Sequence, residues 1–123
     1  MIARHIALIL YVTGAVTLLP VIQYLLPRRA LKGLAGLELA EPGGLFFATH
    51  WGALAFVLGL LLIWAGHVPA LRAPVVLAAL VEKAALVHLI YRYRRQPFAR
   101  KLAGAAVFDS ACVIVYGLYL LGF

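Results

Sequence analysis

Charged residues are scarce in this chain. Lys, Arg, Asp and Glu make up 12% of its 123 residues, whereas 66% are hydrophobic. A soluble domain carries about a quarter charged residues and roughly half apolar ones. The shortage of charge excludes a solvated globular surface and predicts a protein whose solvent is lipid. No internal repeat or low-complexity tract divides the chain, so residues 1–123 are predicted to form one integral membrane domain.

Cysteine is almost absent. Cys112 is the single cysteine, which excludes an intrachain disulfide and any cysteine-based zinc or redox site. We expect it to act as a small packing residue inside an apolar run. The residue pattern predicts no metal site and no resident cofactor.

The long apolar runs lack an alternation of period two, which excludes the strands of a membrane barrel. Clusters of Pro, Gly and Arg divide the chain into four such runs, at about residues 6–26, 45–65, 74–91 and 102–122. A helix of about 20 residues crosses the hydrocarbon core, so each run is long enough. The predicted fold is an all-α membrane protein, a four-transmembrane-helix up-and-down bundle.

Acidic residues are also few, with 4 Asp and Glu against 11 Lys and Arg. The loops after the first and third runs hold eight of the basic residues: Arg28, Arg29, Lys32, Arg92, Arg94, Arg95, Arg100 and Lys101. Basic loops stay in the cytoplasm, so we expect a bacterial plasma (inner) membrane protein with both termini on the outer side. Charges in short juxtamembrane loops exclude a nucleic-acid partner. The Arg92-Tyr93-Arg94-Arg95 cluster has a second interpretation, contact with anionic lipid head groups.

Ionisable residues inside the runs are few and lie at similar depth. Glu82 and Lys83 occupy the centre of the third run, Asp109 lies in the fourth, and His50 and His88 lie nearer the basic loops. A charge at mid-bilayer costs about 2.5–3.5 kcal/mol on insertion scales, so such residues face the bundle interior and pair. Adjacent helical positions do not face each other. We therefore predict that Lys83 pairs with Asp109 and Glu82 with His50; the alternative is that one of them crosses a subunit interface.

This polar layer has two interpretations. It is a buried ion-pair network that fixes helix register, or it is a polar pocket in an apolar bundle. Burial favours the neutral forms of carboxyl and imidazole groups, which suit proton transfer. The candidate catalytic residues are Glu82, Asp109, His50 and Lys83, and the candidate ligand-binding residues are His88, Tyr116 and Trp51. His50 has an equal claim to be an interfacial residue that touches head groups.

Three further patterns concern packing. Gly52, Gly59 and Gly66 recur every seven residues and predict a close helix–helix contact. Pro20 predicts a kink in the first helix. Segment 31–40, LKGLAGLELA, predicts a short amphipathic helix at the membrane interface.

Short motifs give the chain a family resemblance. Thr49-His50-Trp51-Gly52 opens the second run, Glu82-Lys83 is the centre of the third, and Phe108-Asp109 lies in the fourth. Together they resemble small uncharacterised bacterial four-helix membrane proteins of the DoxX-like type. In architecture alone, the layout is distantly similar to the EXPERA group, which includes sterol isomerases and the sigma-2 receptor. That resemblance implies a lipid-open cavity and a sterol-like or isoprenoid amphiphile that enters it laterally from the bilayer.

The leading hypothesis is a pocket that binds an apolar small molecule, with proton-transfer isomerisation or cyclisation as the reaction it would support. One alternative is a proton-coupled transporter or channel that acts as a homo-oligomer. A second is a haem or quinone anchor on His50 and His88, and a third is an accessory subunit that docks a larger membrane partner. The expected partners are membrane lipids and a hydrophobic small molecule.

Overall fold

The structure, a computed structural model, describes residues 1–38 and 41–123. The described residues form seven α-helices: α1 Ile6–Thr17, α2 Ile22–Leu25, α3 Pro27–Ala35, α4 Pro42–His67, α5 Arg72–Arg92, α6 Pro97–Lys101 and α7 Ala103–Leu120. Short 3-10 turns at Ala3–His5, Leu19–Val21 and Pro69–Leu71 lie between or before them. No strand occurs in this part of the chain.

Four helical stretches are long and apolar enough to cross a membrane: Ala3–Leu25, Pro42–His67, Pro69–Arg92 and Ala103–Leu120. They confirm the predicted all-α fold with four spans. The second span begins at Pro42 rather than near residue 45, because proline fits the first turn of a helix, where no N–H is needed.

The first and second spans pack so closely that glycine is required between them. We call Gly14, Gly52, Gly59 and Gly66 the glycine seam. A Cβ added at Gly59 would lie 2.6 Å from the backbone nitrogen of Leu18, and one added at Gly52 would lie 2.7 Å from the carbonyl oxygen of Pro20. The seven-residue glycine spacing thus correctly predicted a close helix contact. In lipid, no hydrophobic effect drives helices together. The van der Waals contacts that this backbone proximity allows stabilise their packing instead.

The bundle has a densely packed end, at the residues around the start of α1 and the turn between α4 and α5. Leu10, Leu62, Val76 and Tyr116 are fully buried there and bring all four spans together. Arg72 stabilises the turn between α4 and α5, since its Nε and Nη2 donate to the carbonyl oxygens of Ala65 and Gly66 at 3.0 and 2.9 Å. These two carbonyls belong to the last turn of α4, which has no intrahelical donors for them.

The first span is broken at the position predicted from Pro20. Helix α1 ends at Thr17, a 3-10 turn follows at Leu19–Val21, and α2 resumes at Ile22. Proline lacks the N–H that a continuous helix requires. The hydroxyl of Thr17 donates to the carbonyl oxygen of Thr13 at 2.6 Å, a contact that often accompanies helix bending.

The predicted amphipathic helix lies earlier in the chain than residues 31–40. Helix α3 runs over Pro27–Ala35. Gly36, whose φ of 66° is left-handed, caps its C-terminus. Residues 39 and 40 of the predicted segment lie outside the described residues. A Cβ at Gly36 would lie 3.0 Å from Lys101 Nζ, so α3 and the α6 end meet closely. This contact joins the two basic loops at what we call the loop end of the bundle.

Candidate functional site

The site is built around a buried ion pair between α5 and α7. Lys83 Nζ donates to Asp109 Oδ1 at 3.0 Å, and the two side chains are 3% and 7% exposed. This confirms the pairing predicted from depth and charge. Lys83 also lies over the ring of Phe108, with Nζ 5.0 Å from the centroid, a favourable cation–π arrangement. The pair holds α5 to α7 without adding net charge to the interior.

An apolar cavity of about 330 Å³ lies beside this pair. Its charged wall consists of Glu82, Lys83 and Asp109. The remaining lining comes from every span: Val16, Thr17 and Pro20 from the first, Trp51 and Ala55 from α4, Leu86 from α5, and Gly104, Ala105 and Phe108 from α7. Small-molecule sites typically measure about 300–1,000 Å³ and are mostly apolar with a few polar groups. The cavity has this size and this chemistry.

The cavity lies between the packed end and the loop end of the bundle. Tyr116 Oη donates to Thr13 Oγ1 at 2.5 Å and so holds α7 against α1 on one side of it. Toward the loop end, the 3-10 turn at Pro20 interrupts the first span, and α7 presents Gly104 and Ala105. A Cβ added at Gly104 would meet nothing within 4 Å. Small residues here leave space instead of closing a contact.

Glu82 is the carboxyl group of the cavity that lacks an ion-pair partner within the described chain. It is half-buried on α5, and the ion pairs in residues 1–38 and 41–123 are Lys32–Glu38 and Lys83–Asp109. The predicted Glu82–His50 pair is therefore wrong. His50 is exposed on α4, because a rotation of about 100° per residue turns it away when its neighbour Trp51 faces the cavity.

Two other predicted residues also lie outside the cavity. His88 is exposed and lines a separate surface groove between α5 and α7. Tyr116 is fully buried above the cavity, where it bonds to Thr13. The structure thus brings together Glu82, Lys83, Asp109 and Trp51 of the predicted set, and it leaves His50, His88 and Tyr116 apart from them.

Three residues of the cavity lining were not predicted, although the sequence contains a pattern that indicates each of them. Leu86 lies one turn after Glu82, and Ala105 lies one turn before Asp109, so helical phase places each on the face of a predicted residue. Pro20 is a proline inside a span, where helices are often broken beside cavities.

The chemistry available in the cavity follows from these contacts. The hydrogen bond between Lys83 Nζ and Asp109 Oδ1 joins α5 to α7. Glu82 offers a carboxyl group to whatever occupies the apolar space. In the described part of the chain, no three His, Cys, Asp or Glu side chains are grouped closely enough to hold a metal ion.

Comparisons with protein-family models, curated proteins and solved structures found no match to this chain. The DoxX-like and EXPERA resemblances therefore stay predictions based on short motifs and architecture. The transporter, haem or quinone anchor and accessory-subunit hypotheses likewise stay predictions. Within residues 1–38 and 41–123, the structure is helical and contains four helices long and apolar enough to span a membrane.

Proposed function

We propose that this membrane protein binds an apolar small molecule with one hydrogen-bonding head group. The observation that carries the proposal is the cavity of about 330 Å³, which all four spans line and which has charged groups on one wall. An apolar tail would be held by van der Waals contacts with the wall, because a ligand that comes from lipid gains no hydrophobic free energy on burial. The head group would meet the carboxyl group of Glu82, which has no ion-pair partner in the described chain.

The cavity's exposed lining supports entry from the bilayer. Val16 is 39% exposed, and Gly104 and Ala105 are also exposed, so the first span and α7 form a lateral opening. At the loop end, α3 and α6 pack together and cover the approach from the basic loops. A ligand dissolved in lipid could enter without crossing water, which favours a sterol-like, isoprenoid or other lipid molecule.

Glu82 would carry any proton-transfer reaction in this cavity. An isomerisation or cyclisation needs a group that gives or takes a proton within hydrogen-bonding reach of the reacting atom. Asp109 is held by Lys83 at 3.0 Å, so we assign that pair to positioning. The proposal includes a bacterial inner membrane location with the basic loops in the cytoplasm, which the distribution of Lys and Arg supports.

The test is mass spectrometry of the molecules that co-purify with the protein and with an Ala105→Trp variant. Ala105 is exposed and lines the cavity, so the indole would fill the space with little disturbance of the core. Ala111→Trp is the matched control, since Ala111 is exposed on the same helix and lies outside the cavity lining. We expect an apolar molecule to be enriched in the wild type and the control and depleted in Ala105→Trp. Identical contents in both variants would contradict the proposal.

A further inference from the structure

A surface groove runs between α5 and α7 on a different face from the cavity. It consists of two concavities of about 430 and 450 Å³, which share Val87 and Tyr91. The α7 wall extends from Ala103 to Ile114, about 16 Å at 1.5 Å per residue. Glu82, Lys83 and Leu86 face the cavity, whereas the groove uses the alternate face of α5.

The groove has a mostly apolar lining that includes small side chains. Ala84 on α5 and Ala103, Ala106 and Ser110 on α7 lie along it. The three residues on α7 recur at three- and four-residue spacing, which places them on one face of that helix. The small side chains on α7 leave an open channel along its wall of the groove.

Arginines surround the loop end of this groove. Arg94 and Arg100 line its wall, and Arg92 and Arg95 line an adjoining concavity of about 340 Å³. Arg94 is fixed in place, since its Nη1 donates to the carbonyl oxygen of Tyr91 at 2.9 Å and its guanidinium lies 4.3 Å from the Tyr91 ring centroid. None of the four arginines joins an ion pair within residues 1–38 and 41–123.

We infer that this groove binds an anionic phospholipid. Its phosphate lies at the arginine cluster, and one acyl chain lies between α5 and α7. Guanidinium groups bind phosphate through paired, charge-assisted hydrogen bonds, and basic groups at the membrane surface attract anionic lipids. The apolar groove begins where the arginines end, so one molecule satisfies both parts. The inference is independent of the proposed function, because it uses a different face of α5 and α7.

The experiment titrates delipidated protein in detergent with dioleoylphosphatidylglycerol and, separately, with dioleoylphosphatidylcholine, and measures retention by native mass spectrometry. We expect the anionic lipid to be retained over the zwitterionic one. The double variant Arg94→Gln/Arg100→Gln should lower retention of the anionic lipid by roughly tenfold or more, because it removes the two guanidinium groups that line the groove and bind the phosphate. The control Arg28→Gln/Arg29→Gln removes the same charge at the same end and should leave retention unchanged. An equal loss in this control, or equal retention of both lipids by the wild type, would overturn the inference.

A second variant tests the groove without changing the charge. Ala106→Phe fills the channel and should reduce retention of phosphatidylglycerol, while every arginine remains. Undiminished retention in Ala106→Phe would overturn the inference even where the arginine variant fails to fold. Ala105→Trp, which fills the cavity instead, should retain phosphatidylglycerol as the wild type does. The proposals for the groove and for the cavity can therefore be contradicted independently of each other.

Discussion

The glycine seam and the α7 wall of the cavity both contain small residues, but these residues have opposite effects on helix packing. At Gly59 an added Cβ would lie 2.6 Å from neighbouring backbone, whereas at Gly104 it would meet nothing within 4 Å. Small residues allow helices to approach in lipid, but they do not compel them to. Between the first and second spans, facing glycines allow backbones to touch. Beside α7, the break at Pro20 and the Lys83–Asp109 pair set the helix positions, and the small residues leave a space.

The largest expected effect on unfolding free energy comes from the charged wall of the cavity rather than from the glycine seam. Lys83→Met leaves Asp109 buried without its partner, and removal of one member of a buried pair costs about 3–5 kcal/mol of unfolding free energy. The measurement is reversible unfolding in lipid bicelles. Lys83→Met/Asp109→Asn should recover part of the loss, because the neutral amide needs no counter-charge. Absence of any recovery would contradict a direct interaction between the two side chains.

The next effect sharpens the comparison of the two glycines. Gly59→Ala forces a methyl group against the backbone of Leu18 and Gly14, and overpacking of this kind costs about 1–3 kcal/mol. Gly104→Ala is the matched control, because its methyl group has open space and alanine favours a helix by up to about 1 kcal/mol over glycine. Thermal unfolding of both variants should move in opposite directions. Equal destabilisation by Gly59→Ala and Gly104→Ala would contradict the difference in packing between the seam and the cavity.

A smaller effect concerns the hydrogen bond that closes the cavity toward the packed end. Tyr116→Phe removes the donor to Thr13 Oγ1, and a single hydrogen bond contributes about 1 kcal/mol. The hydroxyl of Thr13 still donates to the carbonyl oxygen of Ile9 at 2.7 Å, so no buried donor is orphaned. Tyr119→Phe, one turn along α7, should leave the melting temperature unchanged, since Tyr119 donates no side-chain hydrogen bond within the described chain. A melting temperature that falls as far in Tyr119→Phe would show that the loss is not specific to the Thr13 contact.

The smallest effect on stability distinguishes the two neighbours at the centre of α5. Glu82→Gln should change unfolding free energy by no more than about 0.5 kcal/mol, because Glu82 is half-buried and lacks an ion-pair partner in the described residues. The same substitution should reduce the amount of co-purifying apolar molecule. A stability loss as large as that of Lys83→Met would show that Glu82 belongs to the structural network.

The features that the sequence predicted well depend on one helix or one pair of helices. Apolar run length predicted the four spans, glycine spacing predicted the seam, and the cost of charge in lipid predicted Lys83–Asp109. His50 was misplaced because an estimate of depth does not fix rotation about the helix axis. Trp51, its neighbour, occupies the direction that His50 was expected to take. A pocket beside the ionisable residues was predicted, but most of its lining was not, because the lining depends on how side chains from all four spans meet.

The break in the first span has a consequence for what the cavity can accept. Pro20 forms part of the wall with its ring, and the 3-10 turn around it sets where the next residues lie. The charged groups of the lining, by contrast, are all on α5 and α7. Under the proposed function, residues of the first span would help to set the size of the bound molecule, whereas α5 and α7 carry the charged groups. Substitutions at residues 18–21 would then change the size of molecule that the cavity admits while Glu82, Lys83 and Asp109 keep their arrangement.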